Sequence, residues 1–194
     1  DFFFFFDHLA LRDAVQRFCA GEYPAEQRGN AVTPEQAQQG RAAMAELGLL
    51  GLPFSADLGG SEQGAVEVML VAQERGRALG DGAFVASTVM AGQVLTRLAS
   101  AEQQQRWLPG LASGQQQMAL AVYEAGARYD WQRTETRAEP SGAGWLLDGH
   151  KTLVLHGDSA DVLLVVARTA GAHADRAGLS VFAVDATAPG VTVQ

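Results

Sequence analysis

The sequence predicts an α+β multidomain chain: an all-α helical domain over residues 1–114, then a β-barrel or β-sandwich-like domain over residues 115–194. Three observations predict it. Up to about Gly114 the apolar residues recur at helical spacing between capping residues. From Gln115 they gather into short runs separated by turn residues, as in an all-β domain. Finally, 47% hydrophobic and 19% charged residues describe an ordinary globular chain long enough to bury a core.

The elements follow in order. His8–Cys19 places Leu9, Leu11, Val15 and Phe18 on one broad helical face. Thr33 before Pro34 and Glu35 reads as an N-cap with proline at the first helical position. That helix runs through Ala42, Met44 and Leu47 and stops at Gly48. Leu49–Phe54 is an apolar connector and Asp57–Gly64 a glycine-rich loop. A third helix spans Ala65–Leu79, with Val66, Met69, Leu70 and Gln73 at helical spacing and Gly80 at its end. A long helix is expected over Ala83–Ala99, and Ser100 caps a short one through Trp107, closed by Pro109 and Gly110. Strands are expected at Met118–Tyr123, Arg133–Glu139, Trp145–Leu147, Thr152–Leu155, Val162–Ala167 and Leu179–Val184. Arg133–Glu139 alternates Thr134, Thr136 and Ala138 with charged residues, as an exposed strand would; Asp148-Gly149 reads as a tight turn. So few strands would leave an unpaired edge, so the sequence reads as the front part of a longer chain.

Composition excludes several functions. A net charge of −8 argues against nonspecific nucleic-acid binding. Cys19 is the sole cysteine, so no intrachain disulfide is possible, and a reducing, cytoplasmic location is expected. Phe2–Phe6 is too short to span a bilayer and lacks the flanks of a signal peptide, so no membrane partner is expected. His8, His150, His156 and His173 are scattered, without metal-ligand spacing. Gly48-Leu49-Leu50-Gly51 and Gly59-Gly60 lack the Lys-Ser/Thr of a phosphate loop, and no Gly-x-Ser-x-Gly elbow occurs. Lys151 is the only lysine, read as a compositional bias toward arginine. Glu124, Asp130 and Asp161 are candidate acid/base carboxylates, but nothing in the spacing sets one beside a reacting group.

Four segments, in order, resemble the acyl-CoA dehydrogenase family. They are LALRDAVQRFC (Leu9–Cys19), MAELGLLGLPFSADLGGSEQG (Met44–Gly64), LASAEQQQRWLPGLASGQQQMALAVYEAGARYD (Leu98–Asp130) and GWLLDGHKTLVLHGDSADVLLVVART (Gly144–Thr169). The resemblance implies three domains: helical, β, and a C-terminal four-helix bundle that this chain does not include. It implies FAD against the β-domain and an acyl-CoA substrate, with the glutamate base beyond Gln194 and so no catalytic residue in this chain. It further implies an electron-transfer acceptor and a homo- or hetero-oligomer.

The family's Thr-Glu-Pro-x-Ala-Gly-Ser-Asp corresponds to Tyr123–Asp130, which keeps Glu124, Ala127 and Asp130, has Gly126 at the variable position, and brings in Tyr123, Arg128 and Tyr129. Its Lys-x-Trp-Ile-Thr-Asn-Gly corresponds to Lys151–Gly157, with Leu153 and Leu155 replacing the indole and the hydroxyl. By resemblance, Ala121, Tyr123, Leu153 and Leu155 are cofactor-binding, and Arg128 and Tyr129 substrate-binding. If 152–155 is a strand, Leu153 and Leu155 share one face. Leu155 then forfeits a hydrogen bond worth about 0.5–1.5 kcal/mol. Two readings stand: neutral drift with FAD held through backbone amides, or a flavin-poor, non-catalytic partner subunit in which FAD binding is weakened or lost. An acyl- or CoA-binding module without redox chemistry is a third.

Overall fold

The computed structural model describes residues 2–24, 32–80 and 83–194. The chain divides into two compact units, Asp1–Gln116 and Gln117–Gln194. Among its described residues the first holds five α-helices: α1 (Phe2–Glu22), α2 (Pro34–Glu46), α3 (Ala65–Arg77), α4 (Gly92–Leu98) and α5 (Ala101–Ala112). A 3₁₀ turn at Ala56–Leu58 and a π-helical segment at Phe84–Ala91 complete it. Val15 and Cys19 of α1, Met44 of α2, Val71 of α3, Phe84 and the connector residues Leu49, Leu50 and Leu52 form its core.

Local chemistry sets the helix ends. Thr33 and Ser100 each close a capping box, with Gln36 and Gln103 returning the bond. Gly48 (φ +69) ends α2, and Leu49 N–H reaches back to the Met44 carbonyl in a Schellman motif. The α3 terminus differs from the expectation. Leu79 (φ +55), not Gly80, takes the left-handed seat, and Gly80 N–H donates to the Arg75 carbonyl. Gly80 is needed for packing: a Cβ there would lie 3.2 Å from the Tyr23 ring.

Three further expectations are corrected. The inward stripe of α3 is Glu67, Val71, Glu74, Arg75 and Ala78, while Val66 and Met69 are exposed. The buried charges have partners: Glu67 meets His8, Glu74 pairs with Arg77, and Arg75 donates to the Tyr23 hydroxyl and Met44 sulfur. Apolar periodicity cannot register a stripe built from paired charges. Pro109 does not close α5, which continues to Ala112. Burial of Leu108 and Leu111 on either side of it holds the turn, and Gln105, whose carbonyl loses its helical donor, is exposed. The expected long helix begins as the π-helical segment, with Ser87 and Thr88 buried.

The second unit is one mixed five-stranded sheet: β1 (Met118–Ala121), β2 (Arg137–Ser141), β3 (Gly144–Asp148), β4 (Val162–Arg168) and β5 (Leu179–Asp185). β4 is central. It pairs parallel with β1 from Met118↔Val162 to Ala121↔Val165, and antiparallel with β5 along its whole length. The hairpin β2–β3 joins it at Arg137↔Arg168. Thr134, Thr136 and Ala138 are buried, so the alternation over 133–139 marks a half-buried segment, not an exposed strand.

Glycine contacts give a stability test. A Cβ on Gly92 would lie 2.6 Å from the buried Phe54 ring, whereas one on Gly76 meets nothing within 4 Å. Gly92→Ala should destabilise the protein by about 1–3 kcal/mol and Gly76→Ala should stabilise it by up to ~1 kcal/mol in urea unfolding.

Candidate functional site

The site grows from the end of β1, where the chain leaves the sheet through Val122 and Tyr123 to Glu124. Glu124 Oε2 accepts from the Glu135 N–H (2.7 Å), and Oε1 from the Thr136 N–H (3.0 Å) and the Thr136 hydroxyl. Lys151 Nζ donates to Glu124 Oε1 (2.7 Å) and to the Val122 carbonyl (3.2 Å). Both side chains are buried, at 9% and 8% exposure. Thr152 N–H then donates to the Tyr123 carbonyl at 2.8 Å. One ion pair thus binds three segments: 122–124, 135–136 and 151–152.

Burial alone would raise the Glu124 carboxyl. The Lys151 ammonium, the Thr136 hydroxyl and the two backbone N–H groups outweigh it and hold the group at about 2. Burial pulls the Lys151 ammonium below its usual value, with Glu124 opposing. Gly149 permits the approach, since a Cβ there would lie 2.4 Å from Thr136 Oγ1.

The segment after Gly149 is not the expected strand. Residues 149–154 are irregular and a turn follows at Leu155–Asp158. Leu153 (φ +51) and His156 (φ +55) are left-handed, which no run of strand allows. Leu153 and Leu155 therefore do not share a strand face. Both are nevertheless exposed, at 81% and 55%.

Residues 125–132 form a run of turns stepping Ala127→Glu124, Asp130→Ala127 and Arg133→Asp130 by backbone bonds. Arg128 (φ +52) is exposed and Tyr129 is 94% exposed. Among the described residues neither has a side-chain hydrogen bond or ring contact. Ala121 is buried in β1 at 2% exposure and Tyr123 is half-buried. The backbone bond from Thr152 brings Tyr123 to the Leu153 loop. Nothing among the described contacts joins Arg128 or Tyr129 to that loop. A pocket of ≈ 440 Å³ lies against Glu124, lined also by Arg133, Arg137, Asp148 and His150. Of the other carboxylates, Asp161 accepts from the Gln117 N–H, tying the entry of β4 to that of β1, and Asp130 accepts from the Gln132 N–H within a turn.

The geometry matches known proteins. Residues 6–115 fit the acyl-CoA dehydrogenase N-terminal domain and residues 119–194 the middle domain of the same family. The chain belongs to the acyl-CoA dehydrogenase family. It is 31% identical over 186 residues to acyl-CoA dehydrogenase FadE12 of Mycobacterium tuberculosis, covering 95% of this chain and 48% of that protein. The chain therefore spans about half the length of that curated relative. A Bacillus anthracis acyl-CoA dehydrogenase complexed with FAD superposes with a TM-score of 0.82 at 26% identity, covering 96% of this chain and 32% of that one. The Tcur3481-Tcur3483 steroid ACAD gives 0.82 at 26% identity, covering 95% and 49%. Among the described residues, no helix is long and apolar enough to cross a membrane and no cluster of His, Cys, Asp and Glu could hold a metal ion.

Sequence reasoning missed two features. The Glu124–Lys151 pairing had a signal, since the lone lysine and the retained glutamate both lay in family motifs. Arg168 had none. It is 2% exposed, and its guanidinium donates to the carbonyls of Gln132, Thr134, Ala170, His173, Asp175 and Ala177.

Three outcomes test the site. Glu124 titrates near 2 when folded, against an ordinary 4.5, so it contributes stability above pH ~4.5 that is lost as pH falls toward 2. Glu124→Gln should flatten that acid limb, worth about 3 kcal/mol, in unfolding measured against pH. Lys151→Met strands a buried carboxylate and should cost about 3–5 kcal/mol in urea unfolding. Arg128→Gly relieves a left-handed side chain and should raise stability by about 1 kcal/mol in the same assay.

Proposed function

We propose that this chain supplies the helical and β-domains of an FAD-dependent acyl-CoA dehydrogenase. The reaction would be α,β-dehydrogenation of an acyl-CoA thioester. FAD, when bound, would accept the hydride leaving the β-carbon. The observation that carries the reading is the loop clamped by Glu124–Lys151, which presents Leu153 and Leu155 exposed yet fixed. Exposed apolar side chains on an anchored loop suit a planar apolar ring, which would cover them. The residues present fit FAD in that respect. In this reading Leu153 and Leu155 pack the ring, Tyr123 offers its phenol, Ala121 its backbone, and Arg128 and Tyr129 face the substrate. No base is assigned within residues 1–194. The protein works as an oligomer in the cytoplasm and passes electrons to a separate acceptor.

A second reading has its own support. Leu155 offers no side-chain donor, and Arg128 holds a left-handed backbone that suits the glycine of the family motif. A flavin-poor subunit assisting a catalytic partner would tolerate both. The Tcur3481-Tcur3483 structure, named for two components, supports considering it.

The full-length protein, purified with its natural partners, should show a flavin spectrum that bleaches with some member of an acyl-CoA panel. The absence of both spectrum and bleaching would overturn the dehydrogenase reading. A yellow, active homo-oligomer would remove the partner reading. Leu153→Asp places a carboxylate against the ring while suiting the left-handed backbone. It should weaken FAD binding about tenfold or more at unchanged melting temperature, because the apolar contact it removes is worth at least ~1.5 kcal/mol.

A further inference from the structure

Lysine is nearly absent from this chain. Of fourteen lysine and arginine residues, Lys151 alone is a lysine. A guanidinium stays protonated at any physiological pH, so the arginines offer no nucleophilic nitrogen. The one amine of the lysine type is 8% exposed and already engaged twice, with Glu124 at 2.7 Å and the Val122 carbonyl at 3.2 Å. An amine attacks a thioester only with a free lone pair and a clear approach. Then the C–N bond forms, the C–S bond breaks, and the departing thiolate takes up the proton that nitrogen gives up.

We propose that Lys151 is a latent acyl-acceptor site held closed by Glu124, so that the folded segment 1–194 shows acyl thioesters no lysine amine. The ion pair opposes the effect of burial on the ammonium and directs its N–H groups at fixed oxygens. Opening requires Lys151 Nζ to leave both Glu124 and the Val122 carbonyl. Acylation, once it occurs, removes the charge and leaves the Glu124 carboxylate without its cation. A closed Lys151 is thus a condition for keeping the Leu153 loop in place in the presence of acyl donors. The inference does not rest on flavin binding; it needs only a chain that meets activated acyl groups.

The test follows acylation of the Lys151 peptide by mass spectrometry in the full-length protein. Succinyl-CoA and acetic anhydride serve as probes, so one arm is independent of coenzyme A recognition. In the native protein Lys151 should react at least ~10-fold more slowly than in concentrated urea, because reaction must wait for local opening. Glu124→Gln keeps an acceptor for the Thr136 N–H but removes the charge, and should raise the native rate several-fold. Equal rates in native protein and urea would show that Lys151 is open and overturn the proposal. A Glu124→Gln protein as slow as the native one would overturn the role of Glu124. If that variant does not fold, the comparison of native protein with urea still decides whether the site is closed.

Discussion

The ion pair between Glu124 and Lys151 fixes the course of two irregular segments, 122–136 and 149–157, which have few ladder bonds of their own. Taking two charges out of water costs several kcal/mol per ion, and their attraction offsets this only when the remaining polar atoms are satisfied. Here they are. The carboxylate accepts from two backbone N–H groups, a hydroxyl and the ammonium, and the ammonium has a carbonyl as well. A hydrophobic pair of similar volume could match the stability but not the placement. It could not tell the chain that residue 151 belongs opposite residue 124 and beside residue 136. The pair's main effect is therefore on register.

Arg168 performs a related task by other chemistry. Among the described residues no carboxylate meets it; six backbone carbonyls do, from segments 132–134 and 170–177. A planar guanidinium with five N–H donors can serve such a ring of acceptors, while a lysine ammonium has three. The sheet thus ends β4 in a cation that organises two loops, and follows β1 with a carboxylate that organises two more segments. In both cases the strand supplies the rigid support and the polar head sets the loops. Arg137↔Arg168 is also the single register point joining the hairpin β2–β3 to β4, so Arg168 acts where the ladder is thinnest.

How far the sequence could be read depends on which interactions decide each element. Helix α2 was legible because its signals are local: Thr33, Pro34 and Gly48 each act within a turn of themselves. The inner face of α3 was not, because the buried Glu67 and Arg75 meet partners such as His8, Tyr23 and Met44, at least 31 residues away in sequence. Strands β4 and β5 were legible as apolar runs. The segment 152–155 carries the same kind of run, but a long-range ion pair and two left-handed residues override it. Of the candidate site, Leu153 and Leu155 were found by resemblance and are exposed together on one loop, though not by strand alternation. Ala121 lies inside the sheet, and Arg128 and Tyr129 stand apart from the loop in every described contact.

Three of the five non-glycine residues with left-handed backbone among the described residues, Arg128, Leu153 and His156, lie in the two family motifs. Such residues cost about 1–3 kcal/mol each and persist only where surrounding structure dictates the conformation. That structure is visible: Glu124 anchors the turn leading to Arg128, and Lys151 and Thr152 anchor the approach to Leu153. Backbone shape is thus specified by the buried Glu124–Lys151 pair and its partners, not by the side chains at the strained positions. This separation explains why the fold is so much easier to assign than the chemistry. The groups that shape the site are buried and mutually dependent. Arg128, Tyr129, Leu153 and Leu155 are exposed, and among the described residues no side-chain hydrogen bond constrains their identity.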